Sequence, residues 1–302
     1  MEQNRRAERI VVASDGGAAS HTALDWVVDR GSRSPIEVEV VTVEETEWLP
    51  VGGDESEFRR KYIDILDEAG NRLADRPGVS LVAKTMLSGR PAEELAKVAR
   101  LADELVIGSK LTGAAVCARR GTLALHLAPR TPCRLTVVPQ NWAPRPGPIV
   151  VGVEDDESST EAIEEAATEA DRTGRALVLV HAWSLPAPFS IVEGLLNTTY
   201  PTLDAVHQQI LDVAIARAKL IAPRSEISQV LKFGPPAEVL LEAAEYASLL
   251  VVGSHGRGMI GSLILGSVSH GALVAARCPV AVVPPIPQHR GNGVLASVTR
   301  VR

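Results

Sequence analysis

The sequence is short of cysteine, of excess positive charge and of long apolar runs, and each shortage removes a class of protein. Cys117, Cys133 and Cys278 are the three cysteines in 302 residues, and their spacings suit neither a disulfide framework nor a zinc site. They read as inert packing residues in a reducing compartment. Lys and Arg number 31 against 37 Asp and Glu, a formal net charge of −6. That balance lacks the basic footprint of a DNA or RNA binder, so no nucleic acid is expected as a partner. No uninterrupted apolar stretch reaches the roughly 20 residues a bilayer span needs. The charged start MEQNRRAER leads only into the short run 10–13, not into the apolar core of a secretory signal. The expectation is a soluble, cytoplasmic chain with no membrane span. Histidines 126, 207, 270 and 289 show no paired ligand spacing, so no structural metal is expected. Asn197-Thr198-Thr199 has the form of a glycosylation sequon, which carries no weight in a cytosolic protein.

What the chain does have is a long internal repeat. GRPAEEL at 89–95 returns as GPPAEVL at 234–240, LVIGS at 105–109 as LVVGS at 250–254, and VVP at 137–139 as VVP at 282–284, each pair 145 positions apart. RIVVASD at 9–15 pairs with PIVVGVE at 148–154, only 139 apart, so about six residues are inserted in the second copy. The stretch 184–202, rich in proline and small residues, is the expected place. A period this long makes each copy a domain. Residues 1–143 form the first, 144–286 the second, and 287–302 a loose tail without packing period. The joint QNWAPRPGP, residues 140–148, carries three prolines and reads as a short, stiff linker.

Apolar runs alternate with amphipathic segments in each copy. In the second, strands are expected over 149–153, 176–183, 227–233, 249–253 and 280–283, with helices over 158–172, 203–221, 236–247 and 267–277. Continuous Val/Ile/Leu strands are buried on both faces, which a parallel sheet covered by helices provides. The fold class is therefore α/β, as two tandem open, doubly wound, five-stranded parallel-sheet domains of Rossmann-like type. A strand order of the 2-1-3-4-5 kind, with the first strand beside the fourth, is expected. Pro91 and Pro236 sit at first helical positions, and Ser20, Ser158 and Ser159 read as N-caps. The last strands, CRLTVVP and CPVAVVP, are short apolar edges, and pairing them would join the copies into a pseudo-symmetric unit. The whole chain is further expected to form a homodimer.

The chemistry concentrates in VVGSHGRGMIGSLILGS, residues 251–267. Glycine is costly to order, so five in one loop imply a backbone that bends sharply or is approached closely by a ligand. Gly253-Ser-His-Gly256, nine residues, then Gly266-Ser267 at a helix head would aim backbone N–H groups and the positive end of a helix dipole at anionic oxygens. This is a phosphate cradle, yet neither the Walker pattern nor G-x-G-x-x-G after the first strand is present. In the first copy the loop runs Gly108-Ser-Lys-Leu111, nine residues, Gly121-Thr122, so a leucine replaces the second glycine. Its side chain would crowd an approaching phosphate, so the second half is the expected binder. His255 is within reach of a phosphate or simply solvated, and Arg257 is either a charge-neutralising contact or an exposed arginine. Thr42 and His181 end the second strands, bordering a base pocket or serving as ordinary strand-end residues.

The spacing G-x-x-G, nine residues, G-[ST], after a first strand ending in an acid, resembles the nucleotide-binding signature of the universal stress protein family. IVVASDGGAAS, IVVGVEDDESS and LGSVSHGALVAARCPVAVV are similar to that family too, and the resemblance covers both copies. It implies an adenine nucleotide α hydrolase-like sheet and, in nucleotide-binding members, bound ATP, with Mg²⁺ accompanying the phosphates. Carried over, Gly253, Gly256, Gly266, Ser267 and Val268 would line ribose and phosphates. The acid facing the adenosine end would be Asp15 in the first copy and Glu154 in the second, where the family normally has Asp. The function implied is stress response or signalling through nucleotide-dependent conformation and an unknown protein partner. The alternatives are a nucleotide-free interaction module or a slow ATPase; no positioned base or phosphate-contacting lysine marks an enzyme.

Overall fold

The computed structural model describes residues 7–45, 55–110, 123–184, 200–254 and 265–285. The first half runs β1 (Glu8–Ala13), α1 (Ala18–Gly31), β2 (Ile36–Glu44), α2 (Glu55–Leu73), β3 (Val79–Ser88), α3 (Pro91–Val98), β4 (Glu104–Ser109), α4 (Leu123–Leu127) and β5 (Arg134–Pro139). The second repeats it as β6 (Ile149–Gly152), α5 (Glu157–Thr173), β7 (Leu177–Trp183), α6 (Tyr200–Ile221), β8 (Ile227–Phe233), α7 (Pro236–Ala243), β9 (Leu249–Gly253), α8 (Ser267–Ala275) and β10 (Val280–Val283). The strands carry the Val/Ile/Leu runs because each interior strand is sandwiched between helices; Ile10, Val11 and Val12 of β1 have no exposed surface at all.

All ten strands form one sheet in the order β3-β2-β1-β4-β5-β10-β9-β6-β7-β8. Within each half the order is therefore 3-2-1-4-5, which corrects the expected 2-1-3-4-5. The first strand does lie beside the fourth, through β1–β4 and β6–β9. Every other pairing is parallel, but β5 and β10 meet antiparallel, with Thr136 opposite Ala281. Those two residues are repeat equivalents, so a pseudo-twofold axis passes between them. The apolar last strands thus cover each other as expected, while the outer strands β3 and β8 tolerate solvent through Lys84, Gln229 and Lys232.

The two faces of the sheet are joined differently. On one, α3, α4, α7 and α8 lie over a single apolar core to which both halves contribute, including Leu105 and Val137 from the first and Leu240 and Val280 from the second. On the other, α1 and α2 cover a core of the first half and α5 and α6 one of the second. Between these two cores an ionic network crosses the axis. The Arg30 guanidinium on α1 reaches Glu169 on α5 and Glu8 on β1, each at 2.7 Å, and lies 3.3 Å from Glu104. Arg134 on β5 meets Glu8, Glu104 and, across the seam, Glu165. Burial alone would raise the carboxyls of Glu8 and Glu169, but the arginines outweigh it and hold both at about 2.

Helix starts depart from the expected caps. Helix α1 begins after Gly17, and Ser20 lies inside it, donating its hydroxyl back to the Gly17 carbonyl. Helix α5 is capped by Asp156, whose carboxylate accepts the Ser159 N–H at 2.8 Å. Ser158 and Ser159 are therefore residues of the first turn and not N-caps. An acceptor must precede the helix, and a carboxylate one residue upstream outcompetes the hydroxyls. Gly174 closes α5 in the left-handed region at φ 65°, where a Cβ would be strained.

Candidate functional site

The parallel strands of each half end on the same side of the sheet, and the crevice there opens between the first and fourth strands. In the second half the Val153 N–H still ladders to Val180 O at 2.8 Å, and the chain then turns outward at Glu154. The Ser159 hydroxyl accepts the Glu154 N–H at 2.8 Å, so the first turn of α5 fixes the backbone of the acid. On the other side β9 ends at Gly253, and the chain re-enters the described residues at Leu265. Gly266 precedes α8 in extended conformation, and its N–H returns to Ser254 O at 3.1 Å. The Ser269 hydroxyl donates to Gly253 O, stapling the helix start to the strand end.

Between these elements lies a cleft of about 260 Å³, near the lower bound of the roughly 300–1,000 Å³ usual for small-molecule sites. Glu154 and Asp156 stand on one wall, Gly253, Gly266, Ser267 and Val268 on the other, and Pro236 and Leu240 of α7 close the base. The first helical hydrogen bond of α8 runs from His270 N–H to Gly266 O. The preceding amides, of Ser267, Val268 and Ser269, have no acceptor within the helix by its own geometry, and they stand at the positive end of its dipole. The structure thus brings Glu154, Gly253, Gly266, Ser267 and Val268 to one cleft. Gly256, Arg257 and His255 lie outside the described residues, as do Leu111, Gly121, Thr122, Cys117, the sequon and the tail.

A profile of the universal stress protein family matches residues 7–139 and again 147–284. A universal stress protein of Mycobacterium tuberculosis is 30% identical over 304 residues, covering 93% of this chain and 99% of that protein. Among solved structures, a universal stress protein of Archaeoglobus fulgidus shares the fold with a TM-score of 0.69 at 18% identity, over 93% of this chain and 100% of that one. The crystal structure titled a putative universal stress protein of Pseudomonas aeruginosa matches with a TM-score of 0.57 at 14% identity, over 93% and 94%. This chain belongs to the universal stress protein family.

The two halves of this universal stress protein are not built alike at equivalent corners. In the first half Asp15 is exposed, and its carboxylate accepts the Gly17 N–H at 2.9 Å, closing a local turn. Gly108, the equivalent of Gly253, faces α1: a Cβ there would stand 2.0 Å from the Ala19 carbonyl oxygen. Close helix packing alone accounts for that glycine. His181 does not face the cleft, since Val180 and Ala182 of the same strand do and side chains alternate. Its buried ring holds the Val153 carbonyl through Nδ1 at 2.7 Å and meets His207 Nδ1 through Nε2 at 2.8 Å. Thr42, its counterpart, is buried, and its hydroxyl has no hydrogen-bond partner among the described residues. Sequence reasoning missed Asp156 and Ser269. The D-x-x-S spacing at 156–159 signals a cap, whereas nothing local marks Ser269 as the staple.

Cys133 and Cys278 are free thiols, and burial pushes both up to about 12, which leaves them unreactive as thiolates at neutral pH. Among the described residues no group of three or more His, Cys, Asp and Glu could hold a metal ion, and no helix is long and apolar enough to cross a membrane.

Proposed function

We propose that the second half binds ATP in the cleft between β6, β9 and the start of α8, and that a protein partner reads the filled or empty site in stress response or signalling. The observation that carries this reading is the helix start itself: unspent amides of Ser267 and Val268 open onto a cleft bounded by Gly253 and Gly266. Anionic oxygens suit that position because N–H donors and the helix dipole act together. Glu154 on the facing wall offers carboxylate oxygens to sugar hydroxyls. In the sequence the same loop carries Gly256 and Arg257, whose missing side chain and positive charge would suit the phosphates. Mg²⁺ would arrive on the phosphates and not on a protein cage.

The first half, with Asp15, Gly108, Gly121 and Thr122, is the weaker site because Leu111 stands where the second half has Gly256. Calorimetric titration of ATP into nucleotide-free chain tests the reading. One equivalent should bind, weakened about tenfold or more in Gly266→Ala, which puts a methyl beside the phosphates, and unchanged in Gly121→Ala. Zero heat with ATP, ADP and AMP alike overturns it.

A further inference from the structure

A second cavity lies far from the nucleotide cleft, at the seam between the halves where the linker passes. It measures about 30 Å³ and is lined by four arginines and two acidic residues, together with Trp26 and Trp142. Arg30 and Arg33 are accounted for: the first pairs with Glu169 and Glu8, the second with Asp29. That leaves Arg145 and Arg175, neither of which stands in an ion pair among the described residues. Arg175 donates to the carbonyls of Arg145 at 3.2 Å and Gly147 at 2.9 Å. Arg145 Nη2 is withdrawn from solvent and meets no acceptor among the described residues. A charged donor withdrawn from solvent without a partner is costly, and the two acids of the cavity are each shared with another arginine, Asp29 with Arg33 and Glu169 with Arg30, so the described residues leave an excess of positive charge. Burial, and beyond it the like charge of Arg33, lowers the Arg175 guanidinium against the opposing pull of Asp29 and Glu169.

The pseudo-twofold axis relates this corner to that of the ionic network. Under the repeat offsets, Leu249, Trp26 and Gly147 at this corner correspond to Glu104, Glu165 and Glu8 at the other. There, those three carboxylates neutralise Arg134 and help to hold Arg30. Here all three acids are missing, and Glu169 and Pro279 stand at the positions equivalent to Arg30 and Arg134, so the positive charge of this corner comes from other residues, Arg145 and Arg175.

We infer that this seam holds one small oxyanion of the size of inorganic phosphate, gripped by Arg145 and Arg175. The volume agrees, since a water needs about 10–15 Å³ on the same measure, so the cavity takes about two waters or a single tetrahedral anion with its outer oxygens in solvent. Guanidinium forks suit such oxygens. A nucleoside is too large.

The test is thermal melting of the full chain at constant ionic strength, with chloride exchanged stepwise for phosphate or sulfate. Both anions stabilise folded proteins non-specifically, so the difference between parent and variant is the readout. The parent should show a saturable rise in Tm with either anion. In Arg145→Gln the midpoint should move at least about tenfold higher, while its Tm in chloride alone is no lower than the parent's because an unpartnered donor is gone. Gly266→Ala, altered only at the nucleotide cleft, should respond like the parent. If Arg145→Gln does not fold, Arg145→Lys replaces it and must also lose response. An unsaturable rise, an undiminished response in the Arg145 variant, or a response lost in Gly266→Ala overturns the inference.

Discussion

Asp15 and Glu154 occupy equivalent positions, yet one carboxylate closes its own turn while the other stands on a cleft wall. At this scale the glycines also separate by cause. Gly108→Ala should destabilise the chain by about 1–3 kcal/mol, because the added methyl meets the Ala19 carbonyl at 2.0 Å and the helix must shift. Urea denaturation would register that loss, with no dependence on nucleotide. The thiols give a second residue-scale outcome. In native protein at pH 8, Cys133 and Cys278 should resist alkylation, since burial keeps both thiols up to about 12, and peptide mapping by mass spectrometry would locate any label. The sequence marked most of the candidate site because glycines and acids at strand ends are visible as spacing. Gly108 shows the limit: a glycine admitting a helix and one admitting a ligand look the same in a string of letters.

Strands and helices of the second half were legible almost end to end, since their apolar periods differ and proline marks the starts of α3 and α7. Helix caps were less legible. Ser158 and Ser159 carry the preferred hydroxyls, but Asp156 one turn earlier takes the amide, and which residue wins depends on how the chain leaves β6. Asp156→Ala should cost about 1 kcal/mol of stability by loss of that cap. Because Asp156 also lines the cleft, the variant should bind ATP more weakly than its stability loss explains, a comparison that calorimetry and urea denaturation make together.

For the whole molecule the seam decides behaviour. Arg30 and Glu169 are equivalent positions in the repeat, facing each other close to the pseudo-twofold axis with opposite charges. A pairing of two first halves would set arginine against arginine, so the charges favour the union of unlike halves. The acid response follows with a definite sign. Glu8 and Glu169 sit at about 2 in the folded chain against an ordinary 4.5, so their stabilisation is complete above about pH 4.5 and is lost as pH falls towards 2. Glu169→Gln should lower stability at pH 7 by about 3 kcal/mol, since it strips a buried arginine of a partner, and should flatten the decline between pH 4.5 and 2. Denaturation midpoints measured across that range check both statements.

Alone, the amino-acid order determined the doubling of the chain, the alternation of strand and helix, the parallel pairing within each half and the glycine spacing of the candidate loop, because periodicity, prolines and glycines act over a few neighbouring residues. Tertiary structure decided the 3-2-1-4-5 order, the antiparallel junction of β5 with β10, the ionic network and the arginine-lined cavity. The strand order rests on pairings between strands that are not neighbours in sequence, and the junction and network on residues from opposite halves meeting in a low-dielectric seam, and no local pattern carries that information.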